Sequence, residues 1–234
     1  MAKLSALEAF NEVSRNIGES TVTDIAALSG LQLVIWNKII ESIQEISTDQ
    51  NTRLSFLEAL GTATMTSGYN QYPVPSDMQV EDIESFRQPD SGYNIKYMTP
   101  QEWDEEYPKG IDSSRVGYPT RYTKFAGNIV FNNQAGGNED GKEVRFRYWR
   151  TPTYYSTATA TSTCDIPEPF DRTCLVAMAT LKVLDYLGSD EAEKYRLQVY
   201  GGLTTRGQYV EGSLDKLRDI YSSPRLKPRM SYIF

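Results

Sequence analysis

Apolar residues recur at helical spacing at both ends of this chain, and a different pattern fills the middle. Near the start Leu4, Leu7, Phe10, Val13 and Ile17 fall three and four residues apart, and Gly18 stands where a glycine cap would end a helix. A second run from about Leu31 to Ile46 puts Leu33, Ile35, Trp36, Ile39, Ile40, Ile43 and Ile46 on one wide stripe. The helical pattern returns in "TCDIPEPFDRTCLVAMATLKVLDYLG", where Phe170, Leu175, Met178, Leu181, Val183, Leu184 and Leu187 line a helix closed by Gly188. Ser189 is placed to cap a further helix with Asp190, Glu191 and Glu193 in its first turn and a stripe reaching Ile220. Gly201, Gly202, Gly207 and Gly212 weaken that last helix by about 1 kcal/mol each, so a kink or break is expected.

Two amphipathic helices at one chain end cannot bury their stripes alone, whereas four packed together can. The expected fold class is therefore α+β: a discontinuous four-helix bundle built from residues 1–58 and 164–222, carrying an inserted antiparallel β domain at 59–163. Residues 223–234 are expected to form an extended C-terminal tail.

Within the insertion, Ala63 to Thr66 and Gln71 to Val74 read as a hairpin around "SGYN", with Pro73 and Pro75 marking an edge strand. "GYNIKYM" reads as a strand. In "TPQEWDEEY" Thr99 can cap a short helix, Pro100 suits its first position and Glu102 completes a capping box. "TRYTKFAG" and "NIVFNN" read as strands paired through a turn at Ala126 to Asn128, and "EVRFRYWR" as a further strand. In the latter, alternation puts Val144, Phe146 and Tyr148 on a core face and Arg145, Arg147 and Trp149 on the other. About five or six strands are expected. Pro167, Pro169 and Asp171 then mark the turn back into the bundle.

The composition removes most catalytic chemistry. With no histidine and two cysteines, the usual Cys/His zinc site and the Ser/His/Asp or Cys/His nucleophilic pairs are absent, and no G-x-x-x-x-G-K-[ST] phosphate loop occurs. No cofactor and no enzymatic activity are expected. Cys164 and Cys174 read as free thiols. The net charge of −7 argues against a surface built to hold nucleic acid, though it suits a wall that DNA slides past. The apolar run at Leu31 to Ile46 is broken by Asn37, Lys38, Glu41 and Gln44, so it does not span a membrane, and no secretory signal opens the chain. Synthesis in the cytosol is expected.

Four features bear on binding. Acids between Asp77 and Asp112, including Asp104, Glu105 and Glu106, read as a solvated face, with a carboxylate pair for glycoside hydrolysis as the alternative. The sixteen tyrosines read as strand and interface residues, with glycan stacking as the alternative. Arg145, Arg147, Trp149 and Arg150 read as a subunit or tail interface rather than a nucleic-acid stripe. The end, "SSPRLKPRMSYIF", carries three cations and no acid and finishes on Tyr232, Ile233 and Phe234. Such a segment is expected to be extended, either as a floppy tail or ordered on a partner, and its apolar end favours the partner.

The order of motifs resembles the head-to-tail adaptor, or connector, proteins of tailed phages, including tail tubular protein A and the tail accessory factors. The matching pieces are "ALEAFNEVSRNIGESTVTDI", "RLSFLEALGTATMTSGYNQYPVPSDM", "YMTPQEWDEEYP", "GYPTRYTKFAGNIVF", "VRFRYWRTPT" and "DIPEPFDRTCLVAMATLKVLDYLGSDEAEKY". The resemblance implies a virion protein at the head-tail junction, assembled with itself into a ring, typically a dodecamer, beneath the portal protein. The ring would extend the channel for passing double-stranded DNA without binding it specifically, and would seat the tail nozzle or tail tube protein. It also implies that the C-terminal segment, with Arg225, Lys227, Arg229, Tyr232, Ile233 and Phe234, reaches the portal. A tail-side terminator ring and a glycan-binding or glycan-hydrolysing tail module are the alternatives.

Overall fold

The computed structural model describes residues 3–48, 54–78, 85–88, 92–108, 110–111, 114–204 and 207–222. Contacts divide the chain into two units: Met1–Leu57 with Pro152–Phe234, and Glu58–Thr151. The first is helical and the second is built on a sheet.

In chain order the elements are α1 (Ala6–Asn16), α2 (Leu31–Ser47), β1 (Glu58–Thr64), β2 (Gln71–Pro73), β3 (Ser85–Arg87), β4 (Asn94–Tyr97) and α3 (Pro100–Glu106). There follow β5 (Arg121–Phe125), β6 (Asn128–Phe131), β7 (Glu143–Trp149), α4 (Ala177–Leu187), α5 (Ala192–Tyr200), β8 (Gly201–Leu203), β9 (Tyr209–Glu211) and α6 (Ser213–Tyr221). A π-helical turn over Asp171–Val176 leads directly into α4.

Helix α1 starts on a reciprocal box in which the Ser5 hydroxyl accepts from the Glu8 N–H and the Glu8 carboxylate accepts from the Ser5 N–H. The next free donors of its first turn are taken from far away: Ala6 N–H donates to the Ser162 carbonyl at 2.8 Å and Leu7 N–H to the Ala160 carbonyl at 3.0 Å. The polar run "STATATST" thus supplies the acceptors that the helix start needs. At the other end Gly18 adopts a φ of +79°, and its N–H and that of Glu19 close on the Arg15 and Ser14 carbonyls, a Schellman turn. Helix α4 ends the same way at Gly188.

The stripes of α1, α2 and α4 meet in one core containing Phe10, Val13, Ile35, Ile39, Ile43 and Met178. The terminal helical stripe breaks at its glycines into two helices separated by the β8–β9 hairpin, so the helical unit has five α-helices among its described residues, not the expected four. Glycine is the physical reason. A Cβ on Gly201 would lie 2.5 Å from the Val210 carbonyl oxygen, and one on Gly212 would lie 2.3 Å from that of Val199. The two strands of the hairpin cross where only glycine fits. Ser189 does accept from the Glu191 N–H, but α5 starts later, at Ala192, without a side-chain cap.

In the sheet unit seven strands run in the order β1-β7-β3-β4-β5-β6-β2. All neighbours are antiparallel except β4 and β5, which are parallel. Every strand sends at least one side chain into a shared interior, including Ala63, Tyr72, Phe86, Ile95, Tyr122, Phe131 and Phe146, so the sheet is nearly closed. Gly61 faces Phe146 across the β1–β7 register, and its missing side chain leaves the space the ring fills.

The expected hairpin around "SGYN" does not form. β1 pairs with β7 and β2 with β6, at opposite ends of the strand order. The turn is tied elsewhere: Gly68 N–H donates to the Ala135 carbonyl and Ser67 N–H to the Asp140 carboxylate, which draws the chain from one sheet edge to the other. The sheet also has one more strand than expected, the three-residue β3, and its one parallel pair departs from a purely antiparallel domain. The β5–β6 hairpin does form, through Ala126 and Gly127, both at positive φ.

Candidate assembly surfaces

Strand β7 presents the most charged outer face of the sheet. Val144, Phe146 and Tyr148 are buried while Arg145 and Arg147 are exposed, as period-two alternation requires. Arg147 is held by Glu58 on β1 at 3.0 Å. Arg145 is 76% exposed, and the Glu143 carboxylate is 3.9 Å away. Trp149 departs from the expectation: it is only 4% exposed, because alternation fixes a side of the strand but not the burial of each residue on it. Arg150 is half-buried and its backbone bridges to Met78. Beside it the Tyr148 hydroxyl donates to the Asp77 carboxylate at 2.8 Å; burial, followed by that carboxylate, pushes the phenol up to about 12.

The register adds a residue that the sequence pattern did not single out. Arg87 on β3 lies directly opposite Arg145, and both are exposed on the outer face. Two like charges so placed destabilise a sheet.

The acidic region is organised by α3. Thr99 and Glu102 form the expected capping box, and the Thr99 N–H and hydroxyl hold the Glu102 carboxyl below the usual carboxylate range. Glu106 pairs with Arg121, and Glu105 accepts from the Gln101 amide at 3.3 Å. Asp104 is exposed. Trp103 and Tyr107 anchor the helix against Val130, over the outer face of β5 and β6. Beside α3 lies an open groove of about 520 Å³ whose walls include Lys96, Met98, Glu102, Glu106 and Arg121.

Large apolar side chains stand exposed on both units: Leu60, Tyr93 and Phe125 on the sheet unit, and Leu203, Tyr209 and Ile220 on the helical unit. The β8–β9 hairpin that carries Leu203 and Tyr209 was hidden in the sequence behind a helical stripe. Its three glycines, with Gly212 just after it, were the signal. Cys164 and Cys174 are free, as expected, and both are buried, which pushes the Cys174 thiol up to about 11. Among the described residues no group of three or more His, Cys, Asp or Glu side chains is placed to hold a metal ion, and no helix is long and apolar enough to cross a membrane. Arg225, Lys227, Arg229, Tyr232, Ile233 and Phe234 lie outside the described residues.

Residues 5–224, nearly the whole chain, match the family model of the SU10 adaptor protein. No curated protein matches the chain.

Proposed function

The chain belongs to the SU10 adaptor protein family, and on that premise we propose that this structural phage protein, a virion component, is a head-to-tail adaptor that forms a ring beneath the portal. The ring, of about twelve copies in the tail tubular protein A and tail accessory factor manner, extends the DNA channel and seats the tail nozzle or tail tube. Family membership over 220 of 234 residues (5–224) carries this reading.

The exposed apolar residues support it. Tyr93 at 72%, Phe125 at 71% and Tyr209 at 70% exposure are aromatic side chains of the kind enriched in protein interfaces, and Leu60 at 78% adds exposed apolar surface. A head-to-tail ring buries two different faces of each copy. The role is docking, which needs no catalytic group and no cofactor; double-stranded DNA passes without being specifically held. The segment bearing Arg225, Lys227, Arg229, Tyr232, Ile233 and Phe234 anchors on the portal, its cations and terminal apolar side chains ordering on that partner.

The test is to mix the full chain with purified portal rings of its phage and image the product. A ring of the protein on the narrow end of the portal is expected. Binding to tail tube in place of portal would overturn the assignment in favour of a tail-side terminator. Removing residues 224–234 is expected to leave a folded protein that no longer co-sediments with the portal.

A further inference from the structure

Arg87 and Arg145 face each other on neighbouring antiparallel strands of the sheet unit, both exposed. Arg147, one pleat along β7, is neutralised by Glu58. Arg87 has no ion-pair partner among the described residues, and Arg145 has only the distant Glu143. Among the described residues the long Glu143 contact alone offsets this like-charge pair, which local folding energetics disfavour.

A second mismatch of opposite sign sits on the same unit. The last turn of α3 holds Asp104, Glu105 and Glu106 and no base, although a helix C-terminus favours cations. Arg121 answers Glu106 alone. Asp104 and Glu105 are exposed and have no cation partner among the described residues. Helix α3 lies over β5, while Arg87 and Arg145 lie on β3 and β7, with β4 between. The two unbalanced patches are therefore different places on one unit, as a head-to-tail contact between copies requires.

We propose that Arg87 and Arg145 of one copy receive Asp104 and Glu105 at the end of α3 of the neighbouring copy. The inference rests on the ring reading and names the polar contact that sets the order of its subunits. Each mismatch is relieved only in the assembled state. Complementary patches of this kind fix register and reject wrong pairings.

The experiment uses four full-length proteins: wild type, Arg87→Glu with Arg145→Glu, Asp104→Lys with Glu105→Lys, and all four changes together. Ring formation is read by mass photometry with and without portal rings. Each double variant alone is expected to lose rings by at least about tenfold. The quadruple variant, and an equal mixture of the two double variants, are expected to recover them, because every contact then joins opposite charges. Melting temperature supplies an independent reading: Arg145→Gln is expected to raise it in the monomer while weakening assembly, which a merely structural arginine would not do.

If wild type forms rings and either double variant forms them equally well, or the mixture fails to recover them, the proposal is overturned and the ring reading stands. If wild type forms no ring even on the portal, both fall. Unchanged rings accompanied by weaker retention of a double-stranded DNA fragment would assign the arginines to a polyanion, and the proposal would again be overturned.

Discussion

The backbone N–H of Leu4 donates to the carboxylate of Asp171 at 2.8 Å, joining residues 167 positions apart. The Leu4 carbonyl accepts from the Tyr155 hydroxyl at 3.1 Å, so both backbone polar groups of this one buried residue are satisfied by side chains from the returning chain. Asp171 itself is 1% exposed.

Replacing Asp171 by alanine leaves a buried N–H without its acceptor. Asp171→Ala is expected to destabilise the helical unit by about 2–3 kcal/mol, read as a lowered urea midpoint. Ser5→Ala, which removes an exposed cap at the same helix start, is expected to lose about 1 kcal/mol. Equal losses would show that Asp171 does not hold the chain ends together.

Two glycines separate conformational from steric constraint. Gly188 has a φ of +67° with open space around a built Cβ, so Gly188→Ala is expected to destabilise by about 1 kcal/mol. Gly212 has an ordinary φ of −69°, but its Cβ would meet the Val199 carbonyl oxygen. Gly212→Ala is expected to lose about 2–3 kcal/mol through backbone displacement. Thermal unfolding of both variants checks the order.

Alkaline pH probes the buried acids. Burial raises the Cys174 thiol from 9.0 to about 11. Below pH 9 both folded and unfolded chains hold this proton. Between pH 9 and 11 the unfolded chain releases it first, so stability falls with rising pH by an amount approaching 2–3 kcal/mol, roughly two pKa units. Burial, followed by the Glu45 carboxylate that its hydroxyl meets, raises Tyr200 to about 12 and extends the loss upward. Melting temperature against pH is expected to drop less steeply in Cys174→Ala between 9 and 11. An unchanged slope would remove the thiol from the account.

Features set by neighbours in sequence were legible. The Thr99, Pro100 and Glu102 signature gives α3, and the Ala126 to Asn128 turn gives the β5–β6 hairpin, because cap and turn chemistry act over three or four residues. Features set by tertiary competition were not. The "SGYN" segment carries a hairpin signal, yet Ala135 and Asp140 capture its backbone. Gly201 and Gly212 read as helix weakeners, and only their contacts with Val210 and Val199 reveal a crossing.

The candidate interface divides in the same way. Alternation alone exposes Arg145 and Arg147, since it is a property of one strand. Arg87 was not visible because β3 is three residues long and its pairing with β7 is decided by register across the sheet. The burial of Trp149 was equally out of reach.

The acceptors that Ser162 and Ala160 lend to the start of α1 also fix a timetable for synthesis. The first helix must wait for some 150 further residues to leave the ribosome before its first turn is complete, whereas Glu58–Thr151 is contiguous. Domains fold as units while they emerge. A nascent chain arrested with Thr151 just exposed is expected to resist protease across the sheet unit and be cut within α1 and α2. Protection of α1 at that stage would show that the polar run is not what holds it.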